Sequence, residues 1–280
     1  MSDLHLEVGQ QYSTFDFPPT APYLILAGDI GRLIDYDKLL LFLTKQTSRF
    51  DAVFYVLGNH EFYGTSRSKG LELATTLQAE PVFNAKLHLL NRSSFNIPNS
   101  RITILGCTLQ SYIPASAIAE TELKIQDFKQ IQDWSVQQHN AEHVLDYEYL
   151  RDTAKSMAVL EPERRLLVIT HHAPIVSGTS KPKDVGSSMT PAFATDVLPI
   201  SRQGGGKWCF RNVRVWMFGH THFTNDFGFG GMRIVANQRG YVLNGHKLEG
   251  GQAAKEGFWR KLVGKDGTRH EFDAARTFTI

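Results

Sequence analysis

Cysteine is scarce: Cys107 and Cys209 are the only two in 280 residues. Two cannot build a disulfide framework, and zinc-ribbon spacing is absent, so both are expected to be buried, reduced thiols. Long apolar runs are missing too. No stretch approaches the roughly 18–20 residues that span a bilayer, and no signal peptide opens the chain, so a cytoplasmic protein away from membranes is expected. Net charge is almost absent, with 30 Lys and Arg against 28 Asp and Glu. A formal +2 supplies no concentrated basic face for bulk nucleic-acid or membrane binding. Repeats are lacking as well, and "GGG" at 204–206 is the only low-complexity spot. No linker divides the chain, which reads as one domain over residues 1–280.

What is present is an ordinary globular composition, 42% hydrophobic and 21% charged. A chain of this size buries on the order of 70–75% of its unfolded surface, enough for a substantial core. Short apolar, β-branched runs recur at 23–28, 52–58, 101–106, 165–170, 213–219 and 232–237, each bounded by glycine or polar residues. These predict buried strands. Between the first two, Leu40, Leu43, Thr47 and Phe50 recur at helical spacing, and 66–79 predicts a second helix. Strands alternating with helices indicate an α/β fold of stacked layers. Residues 113–160 lack glycine and are rich in glutamine, glutamate and aromatics, which predicts an inserted block of helices and loops. Residues 177–208 read as a long loop, with one short helix expected at "PAFATDVL".

Four of the strand runs end on potential metal ligands. "LILAGD" ends on Asp29, "FYVLGNHE" on Asn59, His60 and Glu61, "LVITHH" on His171 and His172, and "VWMFGHTH" on His220 and His222. In open α/β sheets, sites form beyond the carboxyl ends of strands, so these loops are expected to converge. Glycines 28, 58 and 219 suit tight turns that bring backbone close to such a site. "SDLH" at the start adds Asp3 and His5. Carboxylate, amide oxygen and imidazole together suit Mn, Fe or Zn, and so many ligands exceed the needs of one ion. His88, His139, His143, His246 and His270 sit in contexts that suggest surface or satisfied core residues.

The ordered blocks "SDLH", "GD", "GNHE", "THH" and "GHTH" over residues 3–222 resemble the signature of the calcineurin-like metallophosphoesterases. "NQRGY" at 237–241 resembles a feature of one branch of small members. The resemblance implies a four-layer α-β-β-α sandwich of two mixed sheets flanked by helices. It also implies a dinuclear site. Asp3, His5 and His222 would hold one divalent ion; Asn59, His171 and His220 would hold the other; Asp29 would bridge them. His60 would stay off the metals and serve the reaction. Of the adjacent pair, the resemblance makes His171 the expected ligand, since in the family the histidine directly ending the strand binds; strand alternation independently sends His172 the other way. The activity implied is phosphoester hydrolysis by a bridging hydroxide, with a phosphomonoester as the expected substrate. A phosphodiesterase acting on cyclic nucleotides or other diesters is the alternative, and an inactive scaffold of the same fold is the rival class.

Departures from better-known relatives narrow this reading. The protein serine/threonine phosphatases carry an Asp-Arg pair after "GD" and an arginine before "GNHE"; here those positions are Arg32, Leu33 and Leu57. The aspartate that orients the catalytic histidine and the arginines that grip phosphate in those relatives are therefore missing. Arg32 could bind phosphate or be a solvated loop charge. Purple acid phosphatases place a tyrosine where Arg32 stands. The inserted helices and the 177–208 loop are the expected pocket walls, with Lys181, Lys183, Arg202 and Lys207 available to attract phosphate. Trp134 and Trp208 read as packing residues rather than a base-stacking surface. Only Met1 and Ser2 precede Asp3, where the family has a central strand of about five residues. Either the chain is shortened or another segment fills the gap, and Asp3 and His5 are expected to be tethered at one end only.

Overall fold

The computed structural model describes residues 1–198, 209–242 and 270–280. Arg202, Lys207, Trp208, His246 and the 204–206 glycines lie outside the described residues. The strands are β1 (Tyr23–Ala27), β2 (Ala52–Val56), β3 (Leu87–Leu89), β4 (Ser93–Asn96), β5 (Ile102–Cys107), β6 (Arg165–Thr170), β7 (Val213–Phe218), β8 (Asn225–Phe229) and β9 (Met232–Ala236). The helices are α1 (Tyr36–Thr47), α2 (Arg67–Gln78), α3 (Ile118–Lys124), α4 (Asp127–Gln130) and α5 (Val136–Leu160).

Two sheets stack face to face. One runs β1-β2-β3, and the other β4-β5-β6-β7-β9-β8. The larger sheet is mixed, with four central parallel strands and antiparallel edges at β4 and β8. The smaller one is wholly parallel, so "mixed" describes only one of the two. Strand alternation explains the layering. In β2, Val53 and Tyr55 face the helical layer with Leu39, Phe42, Leu43 and Leu77, while Phe54 and Val56 face the other sheet. Opposite them stand Ile104, Leu167, Ile169, Val215 and Met217. The outer face of the large sheet, with Leu105, Val168, Trp216 and Ile234, packs on Leu150 and Ala154 of α5. The order of layers is therefore helix, sheet, sheet, helix.

The inserted block is helical as expected. Its main element, α5, opens on a capping box in which the Ser135 side chain accepts from Gln138 N and the Gln138 side chain accepts from Ser135 N. One face of α5 buries Val136, His139, His143, Asp146, Leu150, Ala154 and Ala158 at alternating three- and four-residue steps. His139 donates to the Ser111 carbonyl and His143 to that of Gln110, so both are core residues, but His139 Nδ1 is buried without a partner among the described residues. The helix expected at "PAFATDVL" is only a single 3-10 turn at Thr190–Ala192. There Ala194 makes a bridge to Ala173 that holds the chain extended. Cys107 is buried, but Cys209 is only half-buried. Among the described residues, no helix is long and apolar enough to cross a membrane.

The start of the chain is better held than expected. The Met1 amino group donates to Ile25 O and Ala27 N donates to Met1 O, while Ser2 N donates to Asn237 O and Arg239 N to Ser2 O. Two residues thus make strand-type bonds on both sides, and Asp3 N, His5 N and Leu6 N continue onto Gly28, Asp29 and Ile30 carbonyls. Burial lowers the Met1 amine to about 5, so near neutrality it bonds as an uncharged donor. Beyond Met1, between the sheets, lies an apolar cavity of about 370 Å³ lined by Ile25, Phe54, Met217, Phe278 and Ile280. Phe278 and Ile280 pack partly buried on the inter-sheet core. Replacing both with alanine should cost about 1–3 kcal/mol and lower the melting temperature. An unchanged melt would contradict their role in closing the seam.

Candidate metal centre

Five of the seven expected ligand residues share an uncommon backbone conformation. Asp3, His5, Asp29, His220 and His222 all have positive φ, between 47° and 69°. A left-handed residue with a Cβ is disfavoured, and such residues concentrate where function holds them. Each strand here turns sharply at its carboxyl end and aims the next side chain inward. The turns leave no room for side chains of their own. A Cβ on Gly58 would lie 2.3 Å from Asp29 Oδ1, and one on Gly28 would lie 2.2 Å from His171 Nδ1, with φ at +86°. Glycine at both positions is a requirement of the site.

Glu61 clamps two of these turns together. It is fully buried, and its carboxylate accepts from Asp29 N, Ile30 N and Gly58 N at 2.7–3.0 Å and from the Tyr55 hydroxyl at 2.8 Å. Burial and the neighbouring Asp29 charge raise its pKa to about 7. The sequence offered Glu61 as part of "GNHE" without a role; the structure makes it the tie between the "GD" and "GNHE" loops.

Every expected ligand reaches the same small volume. One group joins Asp3, His5 and His222, another Asp29, His171 and His220, and a third His5, Asp29 and His60, and within each the ligand atoms lie within 4.8 Å of one another. His5 Nε2 is 2.9 Å from His222 Nε2 and 3.9 Å from Asp29 Oδ2. Asp29 also faces the second group, with Oδ1 3.3 Å from His171 Nε2. Asn59 Oδ1 is 3.0 Å from the same nitrogen. Its amide is turned that way because Nδ2 donates to Asp127 Oδ1 at 2.8 Å.

The donor set fits a cation on chemical grounds. His171 Nδ1 donates to Ala27 O at 2.9 Å, so the neutral ring presents its Nε2 lone pair to two oxygens. His220 bonds Ala192 O through Nε2, which leaves Nδ1 as the atom available to an ion. Acceptors that face one another in a buried place need a proton or a metal between them. The protonation pattern agrees. Burial would lower His171, but Asp29 and Asp3 outweigh it and raise it to about 10. Burial would raise Asp29, yet the His171 and His60 rings pull it well below the usual carboxylate range. Burial and the His171 charge push His220 down to about 3, so that ring stays neutral.

His60 stands beside the cluster with both nitrogens engaged. Nδ1 lies 2.8 Å from Glu7 Oε1, and Nε2 lies 2.9 Å from the Tyr241 hydroxyl. Burial would lower its pKa, but Asp29 and Glu7 raise it to about 9. His172 turns away, its Nδ1 accepting from Ser111 N at 3.3 Å. Arg32 is not drawn into the cluster; its guanidinium forks onto Asp35 at 3.0 and 3.2 Å. Glu7, Asp127 and Tyr241 carry no part in the sequence reading. Glu7 follows "SDLH" by one residue and Tyr241 closes "NQRGY", but nothing marks Asp127 within the helical insert.

Two outcomes follow from this geometry. Glu61→Ala strands four buried donors and should cost at least about 3 kcal/mol, read in denaturant melts. A loss under 1 kcal/mol, on the scale of a surface change, would contradict the clamp. The raised His171 and His60 pKa values stabilise the metal-free protein fully below about 6.5, and this contribution fades as pH rises through about 9–10. A metal must displace the His171 proton, so manganese affinity should rise with pH, by up to about tenfold per unit between pH 7 and 9. A pH-independent affinity would contradict a His171 ligand.

Residues 1–223 match the family model described as calcineurin-like phosphoesterase. The chain is 28% identical to the uncharacterized protein L509 of Acanthamoeba polyphaga mimivirus, over 86% of this chain and 90% of that one. Its fold resembles the crystal structure of a phosphopantetheinyl hydrolase from Mycobacterium tuberculosis, with a TM-score of 0.59 and 18% identity over 86% of this chain and 88% of that one. Matched over residues 1–223 by the family pattern and holding candidate His and Asp ligand clusters, the chain belongs to the calcineurin-like phosphoesterases and is a metal-dependent phosphoester hydrolase.

Proposed function

We propose that the protein is a dinuclear phosphomonoesterase. The observation that carries this reading is Asp29, whose two oxygens face two separate ligand groups while His60 stands alongside. Asp3, His5 and His222 would hold one divalent ion, Asn59, His171 and His220 the other, and Asp29 both. Two such ions would polarise the phosphoryl oxygens and lower the pKa of an attacking water towards neutrality.

The chain's own share of the step lies with His60. Water adds in line to phosphorus and loses one proton to solvent, the ester P–O bond breaks, and its electron pair leaves on the ester oxygen. His60, protonated near neutrality, gives a proton to that oxygen through Nε2 and is reprotonated from solvent. No covalent phosphoenzyme is needed. Arg32, held by Asp35, contributes to phosphate attraction only through its positive field, so Arg32→Ala should raise KM modestly and spare kcat. Mn, Fe and Zn all suit the donor set. The intact ligand set favours an enzyme over a scaffold.

The purified protein should release phosphate from an aryl monoester when manganese is added. His60→Ala should slow that release by about 10²–10⁴-fold where the leaving group needs a proton, and Asp29→Asn should abolish it. Full activity in both variants would end the assignment, and faster turnover of diesters than monoesters across a substrate panel would move it to a phosphodiesterase.

A further inference from the structure

His60 lacks the orienting carboxylate that the sequence reading looked for after "GD", yet its ring is held. Glu7 Oε1 is 2.8 Å from His60 Nδ1 and 3.4 Å from His5 Nδ1. The Glu7 side chain is only 8% exposed, and its other oxygen, Oε2, is buried with no hydrogen-bond partner among the described residues. A buried carboxylate with an orphaned oxygen is costly, so packing alone does not explain it. On the far side of the ring, Nε2 points at the Tyr241 hydroxyl. Tyr241 is 54% exposed, and its ring lies 4.2 Å from that of His5 and 4.9 Å from that of His222. The hydroxyl therefore sits at the rim of the ligand cluster, on the one nitrogen of His60 that Glu7 leaves available.

We propose that Glu7 is the positioning residue of this site: it holds His60 through Nδ1 so that Nε2 meets the leaving oxygen, at the place now taken by the Tyr241 hydroxyl. This rests on the phosphoesterase reading above and deepens it. Glu7 does the work through His60, from within the loop that also carries Asp3 and His5, so one turn of chain sets both a metal ligand and the acid. Substrate displaces the Tyr241 hydroxyl from Nε2. Water then adds to phosphorus and loses a proton to solvent as the ester P–O bond breaks, its electron pair goes to the leaving oxygen, and the proton on Nε2 follows.

Leaving groups that need that proton separate positioning from a general loss of structure. At saturating manganese, E7A should lower kcat on phenyl phosphate by about 10–100-fold, part of the roughly 10²–10⁴ that acid catalysis contributes, with KM little changed. On 4-nitrophenyl phosphate, whose leaving group departs as an anion, the loss should be several-fold at most. E7Q keeps an acceptor for Nδ1 and should recover part of the loss, and the E7A/H60A double variant should be no slower than H60A. Equal losses on both esters, or losses that multiply with H60A, would overturn the proposal. A second readout is independent of turnover. In ¹⁵N spectra of the full chain, with and without zinc, the wild-type His60 ring should show a proton fixed on Nδ1, and E7A should lose it. An unchanged ring signature in E7A would overturn the proposal even in a protein that hydrolyses no ester, whereas failure of every ester with wild-type protein would count against the phosphoesterase reading alone.

Discussion

Lone pairs on Asp3, Asp29, Asn59 and four imidazoles face one another across a few ångströms of buried space, and this crowding organises the molecule. Such acceptors repel unless positive charge lies between them. Without a metal, protons serve, as the raised His171 pKa records. The crowding is maintained by backbone that is itself disfavoured, with five ligands in the left-handed region. Packing of the two sheets and the bonds around Glu61 must supply what that strain costs.

Architecture and chemistry meet at the strand ends. β1, β2, β6 and β7 run parallel within their sheets, so each delivers its carboxyl-terminal turn to the same edge of the sandwich. The helical insert adds more than a wall. Asp127 on α4 turns the Asn59 amide so that its oxygen faces His171. The loop at Ala192 fixes the tautomer of His220. Second contacts of this kind set which atom of each ligand is offered, and they come from segments remote in sequence.

The candidate ligands Asp29, Asn59, His171, His220 and His222 were legible because each lies at the end of an apolar run, where both the strand and its end can be read from composition. Asp3 and His5 follow no such run and stood out through the family resemblance. The supporting residues were not legible, since Asp127 and Tyr241 act across 68 and 181 residues of chain and leave no local pattern. Strands β3, β4 and β8 escaped notice because they are short or half-exposed, with little apolar character. At the N-terminal end, Asp3 and His5 were expected to be tethered at one end only, whereas Met1 and Ser2 bond to backbone on both sides, and Asp3 N, His5 N and Leu6 N bond onto the Gly28, Asp29 and Ile30 carbonyls.

The most direct test of a cation-centred site is a crystal of the protein grown with manganese and measured for anomalous scattering. The account predicts two peaks about 3.5–4 Å apart, one among Asp3, His5 and His222, the other among Asn59, His171 and His220, with Asp29 touching both. A single peak away from Asp29, or none at saturating metal, would contradict it.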